Sequence, residues 1–114
     1  MAITSEIIGK LGGADVEVIP VEGAASGGRG SSEVLATIDV PAGETWLVAA
    51  IGQVTPASTS LSPRLQLGDE VSTEATRGTH GLVTTATESI SLSIRRAANS
   101  GSDAFTGHVY TVKL

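Results

Sequence analysis

The chain has 114 residues, a length typical of a single domain that buries about 65% of its unfolded surface. Its formal net charge of −5 and its sequence pI of about 4.8 argue against a nucleic-acid partner, because phosphate neutralisation needs clustered Lys and Arg. No apolar run reaches the roughly 20 residues of a spanning helix. The N-terminus also lacks the basic and apolar regions of a signal peptide, so we expect no membrane partner and synthesis in the cytoplasm.

The composition predicts a small aliphatic core. Hydrophobic residues make up 40% of the chain but aromatic residues only 3%, with one Trp, one Tyr and one Phe. Small side chains bury little area each, and oligomerisation is a common way for a small domain to cover more surface. The absence of cysteine excludes disulfides, thiolate catalysis and zinc–thiolate sites.

The first part of the chain, residues 1–32, is predicted to form an arm and a linker ahead of the main domain. Ser5 can cap a short helical or extended piece over residues 6–11. Residues 15–21 alternate as a strand that contains a proline and therefore suits a sheet edge, and residues 22–32 have the glycines and serines of a flexible loop. A helix this short is marginal alone, so its apolar residues need a partner surface. The predicted assembly interface comprises Ile3, Ile7, Ile8, Leu11, Val16, Val18 and Val21.

Residues 33–54 form the most informative stretch of the chain and predict a β-hairpin. Every second residue from Val34 to Val40 is apolar, which is the pattern of a strand with one buried face. Pro41 presets φ for the second position of a type I turn, and Gly43 can adopt the left-handed conformation that closes such a turn. The second strand is apolar at nearly every position, which suits a strand covered on both faces.

The remainder of the chain predicts further strands separated by turns. Alternation or apolar content indicates strands at 61–67, 70–76, 82–87, 89–95 and 104–114, with loops at 55–60, 77–81 and 98–103. With the strand at 15–21 and the two strands of residues 33–54, this gives eight candidate strands and predicts an all-β fold, an antiparallel β-sandwich or jelly-roll-like fold of about eight strands, with the sandwich domain over residues 33–114. The predicted core comprises Val34, Ala36, Ile38, Val40, Trp46, Val48, Ile51, Leu65, Leu67, Ile90, Leu92 and Ile94.

Residue types that carry chemistry are few, and none of them forms a recognisable motif. Neither His80 nor His108 has another histidine or a carboxylate at ligand spacing. The neighbouring residues Arg95 and Arg96 end a strand, where they can either contact an acidic partner or lie in solvent. Trp46 could stack on a sugar, but its place in the most apolar run favours the core. The sequence predicts no catalytic residue, no metal ligand and no cofactor.

The central stretch nevertheless resembles a known group of proteins. The segment from Thr37 to Ile51, Thr-Ile-Asp-Val-Pro-Ala-Gly-Glu-Thr-Trp-Leu-Val-Ala-Ala-Ile, is similar to a pattern in small β-sandwich virion proteins of tailed viruses. These are head-decoration, head-fibre and tail-associated proteins, in which a strand ending in Val-Pro-Ala-Gly leads into an apolar strand. The order of the later strands is also similar, so that the resemblance covers residues 33–114.

The resemblance implies a non-enzymatic structural protein of a bacterial or archaeal tailed virus. A capsid decoration protein that stabilises the head as a symmetric oligomer, with a trimer favoured, is the leading expectation. A tail, neck or turret component and a carbohydrate-binding adhesive module are the alternatives. The expected partners are further copies of the chain and the major capsid or tail proteins, and the expected location is the virion.

Overall fold

A computed structural model of the protein describes residues 16–57, 61–72 and 78–114, and these residues form eight β-strands. No helix occurs in these three ranges. The strands belong to two four-stranded antiparallel sheets, which confirms the predicted all-β sandwich. The strands are β1 (Val16–Ser26), β2 (Ser32–Ile38), β3 (Trp46–Thr55), β4 (Arg64–Leu67), β5 (Glu70–Val71), β6 (Gly78–Ala86), β7 (Ile90–Arg95) and β8 (Ser102–Lys113).

Each sheet contributes one face to a common core. The first sheet has the strand order β1-β8-β3-β6 and the second sheet the order β2-β7-β4-β5. Between them lie fully buried side chains from both sheets, which exclude water from the interior. The buried core comprises Val21, Ala25, Ile38, Val40, Val48, Ala50, Val54, Leu65, Leu67, Ala86, Leu92, Ile94, Phe105 and Val109.

Residues 33–54 form two strands and a turn, as predicted. The prediction that the two strands pair with each other as a hairpin is wrong. Strand β2 pairs with β7 in the second sheet, whereas β3 lies between β8 and β6 in the first. The amide of Glu44 donates to the carbonyl of Pro41 over 3.1 Å, and Gly43 has φ of 83°. Pro41 therefore occupies the first position of the turn, and the positive φ at the third position is what a type II turn requires. The turn carries the chain from one sheet to the other.

Val34 was expected in the core, but its side chain is 58% exposed. The pairing of β2 with β7 shifts register between Val34 and Ala36, so Leu35 is an extra residue in a β-bulge. A bulge reverses which alternate residues face inward. Ile38 therefore faces the core on one side of the bulge, whereas Val34 on the other side faces solvent.

Ile51 is the second residue for which the prediction of a core position is wrong, since 44% of its surface is exposed. The inward positions of β3 are those of Val48, Ala50 and Val54, so Ile51 points to the outside of the first sheet. Three other predicted core residues are half-buried and pack against the buried cluster, namely Ala36, Trp46 and Ile90. The remaining predicted core residues are buried, namely Ile38, Val40, Val48, Leu65, Leu67, Leu92 and Ile94.

Strand β1 is longer than the sequence predicted. It pairs with β8 along its whole length, from Val16 opposite Val112 to Ser26 opposite Ser102. Half of the predicted linker is therefore strand, and Val21, which was predicted in the assembly interface, is a core residue that is 5% exposed. The predicted loop at 77–81 is likewise replaced from Gly78 onward by strand β6. The predicted helix and the interface residues Ile3, Ile7, Ile8 and Leu11 lie outside the described residues.

A glycine pair allows two strands of the first sheet to approach closely, and one of the two glycines makes room for the one phenylalanine of the chain. Gly52 and Gly107 are opposite each other on β3 and β8, at inward-facing positions. A Cβ on Gly52 would lie 2.6 Å from Cζ of Phe105 and 2.7 Å from Cα of Gly107, and real Cβ atoms do not come this close to other heavy atoms. Phe105 fills the space and is 1% exposed.

A buried ion pair closes one end of the sandwich. Nε of Arg96 lies 3.1 Å from Oδ2 of Asp103, and the two side chains are 0% and 1% exposed. The Arg96 guanidinium also donates to the carbonyls of Gly27, Ser100 and Gly101. Oδ1 of Asp103 accepts from the amide of Ala57 over 2.8 Å. One pair therefore joins the β1–β2 turn, the β7–β8 turn and the segment after β3.

We expect Asp103→Asn to lower the free energy of unfolding by about 3–5 kcal/mol, because it leaves the buried Arg96 charge without a counter-charge. Urea unfolding followed by circular dichroism measures the change. Lys113→Ala is the control, since Lys113 is 67% exposed in its pair with Glu44 and such surface pairs contribute at most about 1 kcal/mol. Equal losses in the two variants would contradict a special role for the buried pair.

Candidate functional site

The outer side of the first sheet presents an apolar surface. Because side chains alternate along a strand, residues next to the core positions of β1, β8, β3 and β6 point away from the second sheet. The cross-strand register places them in three rows of four. We call this surface the apolar face, and its rows are Val16, Val112, Leu47 and Thr85; Val18, Tyr110, Ala49 and Val83; and Pro20, His108, Ile51 and Gly81.

Exposure of the apolar face increases away from its first row. Leu47 and Val112 in the first row are 4% and 1% exposed. In the second row Val18 is 52% exposed, and in the third row Ile51 is 44% exposed. Val18 and Ile51 are two strands and one row apart on the same side of the sheet, and exposed aliphatic side chains on one such surface are typical of a site that meets another protein.

The apolar face carries no carboxylate, ammonium or guanidinium group. Its one titratable ring besides Tyr110 is His108, whose ring centroid lies 6.1 Å from that of Tyr110. Charged side chains begin only in the next row, where Glu22 on β1 is opposite Thr106 on β8. A neutral surface of this size is notable on a chain with a net charge of −5.

The structure separates the residue types that could carry chemistry. His80 is half-buried on β6, with its side chain on the inward side, whereas His108 is exposed on the outer side of β8. Within the described ranges no three His, Asp or Glu side chains are grouped closely enough to hold a metal ion. Asp69 and Glu70 are exposed at the turn between β4 and β5, where a turn role accounts for the aspartate.

Trp46 is held by packing and by a hydrogen bond. Its side chain is half-buried and packs against the core. The indole Nε1 donates to Oε1 of Glu44 over 3.1 Å, and Nζ of Lys113 lies 3.4 Å from the same oxygen. The hydrogen bond from Trp46, and after it the Lys113 ammonium, hold the pKa of Glu44 below its ordinary value of 4.5. The nitrogen edge of the indole is thus occupied by Glu44, and part of the ring is buried against the core.

Comparison of the chain with protein-family models, with curated proteins and with solved structures finds no match. The described segments contain no helix whose length and apolarity would let it cross a membrane.

The pKa of Glu44 predicts a pH dependence of stability. Since folding lowers this pKa, ionised Glu44 stabilises the fold above about pH 4.5, and the contribution is lost as pH falls through the lowered pKa of the folded state. We expect the loss of stability between about pH 7 and about pH 3 to be smaller in Glu44→Gln than in the natural chain. Urea midpoints at the two pH values measure it.

Glu88→Gln is the matched control, because Glu88 is exposed and has no side-chain hydrogen bond within the described residues. Its acid-induced loss should equal that of the natural chain. A Glu44→Gln variant that loses as much stability as the natural chain would contradict the assignment, and fluorescence of the single Trp46 should report the same transition.

Proposed function

We propose that the protein is a non-enzymatic structural subunit of a tailed virus, a capsid decoration protein that forms a symmetric oligomer through its apolar face. The resemblance of residues 37–51 to small virion proteins supports the viral assignment. The single observation that supports oligomer formation is the uncharged, partly exposed apolar face of the first sheet. A trimer is the form that the resemblance implies.

Charge favours a second copy of the chain as the occupant of the apolar face. Each copy has a net charge of −5, so copies repel one another over most of their surfaces. The apolar face is the surface on which two copies can approach without bringing carboxylates together. Burial of Val18 and Ile51 there would also remove two large aliphatic side chains from water, at about 25 cal/mol for each Å² buried.

The area of the apolar face indicates that it is only part of the interface. Strands lie about 4.8 Å apart and same-face residues about 6.8 Å apart along a strand, so the second and third rows, which hold the exposed side chains, cover about 260 Å². A stable interface buries about 800 Å² on each partner. The apolar face therefore needs a further surface, larger than itself, to support a stable oligomer.

Residues 1–15 are the segment that can supply this further area. The segment enters the sheet at Val16, in the first row of the apolar face. It contains Ile3, Ile7, Ile8 and Leu11, and in extended form fifteen residues could reach about 50 Å. This exceeds the width of about 20 Å that four strands span. We propose that the segment lies against the apolar face of a neighbouring copy.

The position of the oligomer on the particle is a separate part of the proposal. The head surface is favoured by the resemblance to decoration proteins, and the major capsid protein would then be the partner. A tail, neck or turret component is the alternative with the same fold and the same oligomeric behaviour. Antibodies against the chain, located by electron microscopy on purified virions, distinguish the two, and virions without label would contradict both.

We expect Ile51→Glu to convert the oligomer to a monomer of 11.5 kDa. The added carboxylate would be desolvated in the interface, and opposing copies would repel each other. Val34→Glu is the matched control, because Val34 is equally aliphatic and 58% exposed but lies on the outer side of the second sheet. Light scattering coupled to size exclusion gives both masses.

The natural chain should have a mass about three times 11.5 kDa in the same measurement. A monomeric natural chain would contradict self-association, and loss of the oligomer in Val34→Glu as well as Ile51→Glu would place the interface elsewhere.

Deletion of residues 1–12 tests the role of the N-terminal segment separately. We expect the truncated chain to fold, since β1 begins at Val16, but to form a weaker oligomer because a large part of the proposed interface is missing. Sedimentation equilibrium measures the change in association constant. An unchanged constant would show that the apolar face associates without the segment.

A further inference from the structure

Four of the seven Lys and Arg residues of this acidic chain meet at one end of the second sheet. Arg64 on β4 and Arg95 on β7 are direct cross-strand partners, and Ser32 on β2 is the next partner in the row. Arg29, in the β1–β2 turn, and the buried Arg96 complete the group. A groove of about 390 Å³ lies between them, with a continuation of about 270 Å³ over the second sheet. We call it the arginine groove.

The positive charge of the arginine groove is not neutralised within the described residues. Arg64 and Arg95 are exposed and form no side-chain hydrogen bond or ion pair there. No Asp or Glu of the described segments lines the groove. Like charges directly opposite each other on neighbouring strands destabilise a sheet. The Arg64–Arg95 pair therefore costs stability in the free chain, and an anion between the two side chains would remove the repulsion.

The third guanidinium is held in place by the backbone. Nε of Arg29 donates to the carbonyl of Ala97 over 3.1 Å, and the Arg29 amide donates to Oδ1 of Asn99 over 3.1 Å. These bonds leave the two terminal nitrogens of Arg29 without an acceptor in the described part of the chain. The adjoining Gly30 amide donates to the Arg96 carbonyl over 3.0 Å, which keeps the turn beside β7. Arg29 thus presents donors that are fixed before any ligand arrives.

We propose that the arginine groove binds a short acidic peptide segment of a partner protein. Guanidinium groups pair with carboxylates through two parallel hydrogen bonds, a geometry that arginine provides and lysine does not. Leu61 and Val71, which are 38% and 43% exposed, line the two ends of the groove. They suit a peptide in which apolar side chains flank the carboxylates.

A nucleic acid fits the arginine groove less well than a peptide. Sequential phosphates need an extended basic track, whereas three available guanidiniums stand here on a chain of net charge −5. Stacking of bases needs exposed aromatic rings, and no aromatic residue lines the groove.

The location of the groove favours a partner other than a second copy of the chain. The groove opens on the outer side of the second sheet, opposite the apolar face. It therefore stays accessible in an oligomer built through the apolar face. Under the proposed function the partner would be the major capsid protein. Only this identity of the partner rests on the proposed function, whereas binding of an acidic peptide does not.

The test measures binding of a fluorescein-labelled hexaglutamate peptide to the natural chain by anisotropy at low salt. We expect binding that weakens as salt is added and that becomes about tenfold weaker in Arg64→Gln and in Arg95→Gln, since each loses one charge-assisted pair. Lys113→Gln, which removes one positive charge from the first sheet, is the matched control and should bind the peptide as the natural chain does.

Stability provides the second measurement. Arg64→Glu places opposite charges in the row with Arg95, so we expect its Tm to be equal to or above that of the natural chain while peptide binding is lost. A lower Tm in Arg64→Gln and Arg64→Glu would show that Arg64 supports the fold and would overturn the proposal.

Other outcomes also overturn it. An acidic-peptide site would be excluded if the peptide did not bind or bound equally to all variants. It would also be excluded if a single-stranded oligonucleotide bound more tightly than the peptide, or if inorganic phosphate bound and the peptide did not. Dissociation of the oligomer in Arg64→Glu would show that the groove joins copies of the chain. The measurement needs no virus particle and no oligomer, so its failure is distinct from failure of the proposed function.

Discussion

The buried pair of Arg96 and Asp103 is the interaction on which the end of the sandwich depends. A guanidinium and a carboxylate at 0% and 1% exposure must satisfy nearly all of their hydrogen-bonding capacity inside the protein. They do so by bonding to backbone groups of three different connections, at Gly27, at Ser100 and Gly101, and at Ala57. Connections that could otherwise move independently are therefore fixed relative to one another, and both sheets are joined where their strands end.

This constraint also determines where the neighbouring charges lie. Arg95 is the last residue of β7 and Arg96 follows it directly, so the two side chains point to opposite sides, with Arg96 buried and Arg95 on the outer face of the second sheet. The Arg96 carbonyl and amide bond to Gly30 and Ser31, which brings the turn that carries Arg29 to the same place. A pair that stabilises the fold thus assembles an unneutralised cationic surface beside it.

Local features of the fold follow from the sequence, whereas its long-range pairings do not. Alternation in Ile90–Arg95 and in Arg64–Leu67 identifies half-buried strands directly, since a period of two reports one buried face. Alternation does not say which strand lies next to which, so β2 and β3 were predicted as a hairpin. The bulge at Leu35 is not visible in the pattern of apolar residues either. It turns Val34 to the outside, where alternation predicts a core position.

The candidate surfaces were less predictable than the strands for the same reason. Val16 and Val18 could be placed on one face from alternation alone, but the apolar face needs β8, β3 and β6 beside them. Arg64 and Arg95 are thirty-one positions apart in the sequence and meet only through the register of β4 with β7. Arg96 resembled a solvated strand end because its acceptors are turn carbonyls that converge only after folding.

The outer faces of the two sheets differ in charge and polarity. One sheet presents uncharged aliphatic side chains and the other presents polar side chains with a cationic end. In a chain of net charge −5, the aliphatic face suits contact between identical copies, because no like charges meet there. Under the proposal for the arginine groove, the cationic end attracts carboxylates of a different surface. A sandwich with one face for its own copies and one for a foreign acidic surface can assemble as an oligomer and still attach to a larger structure.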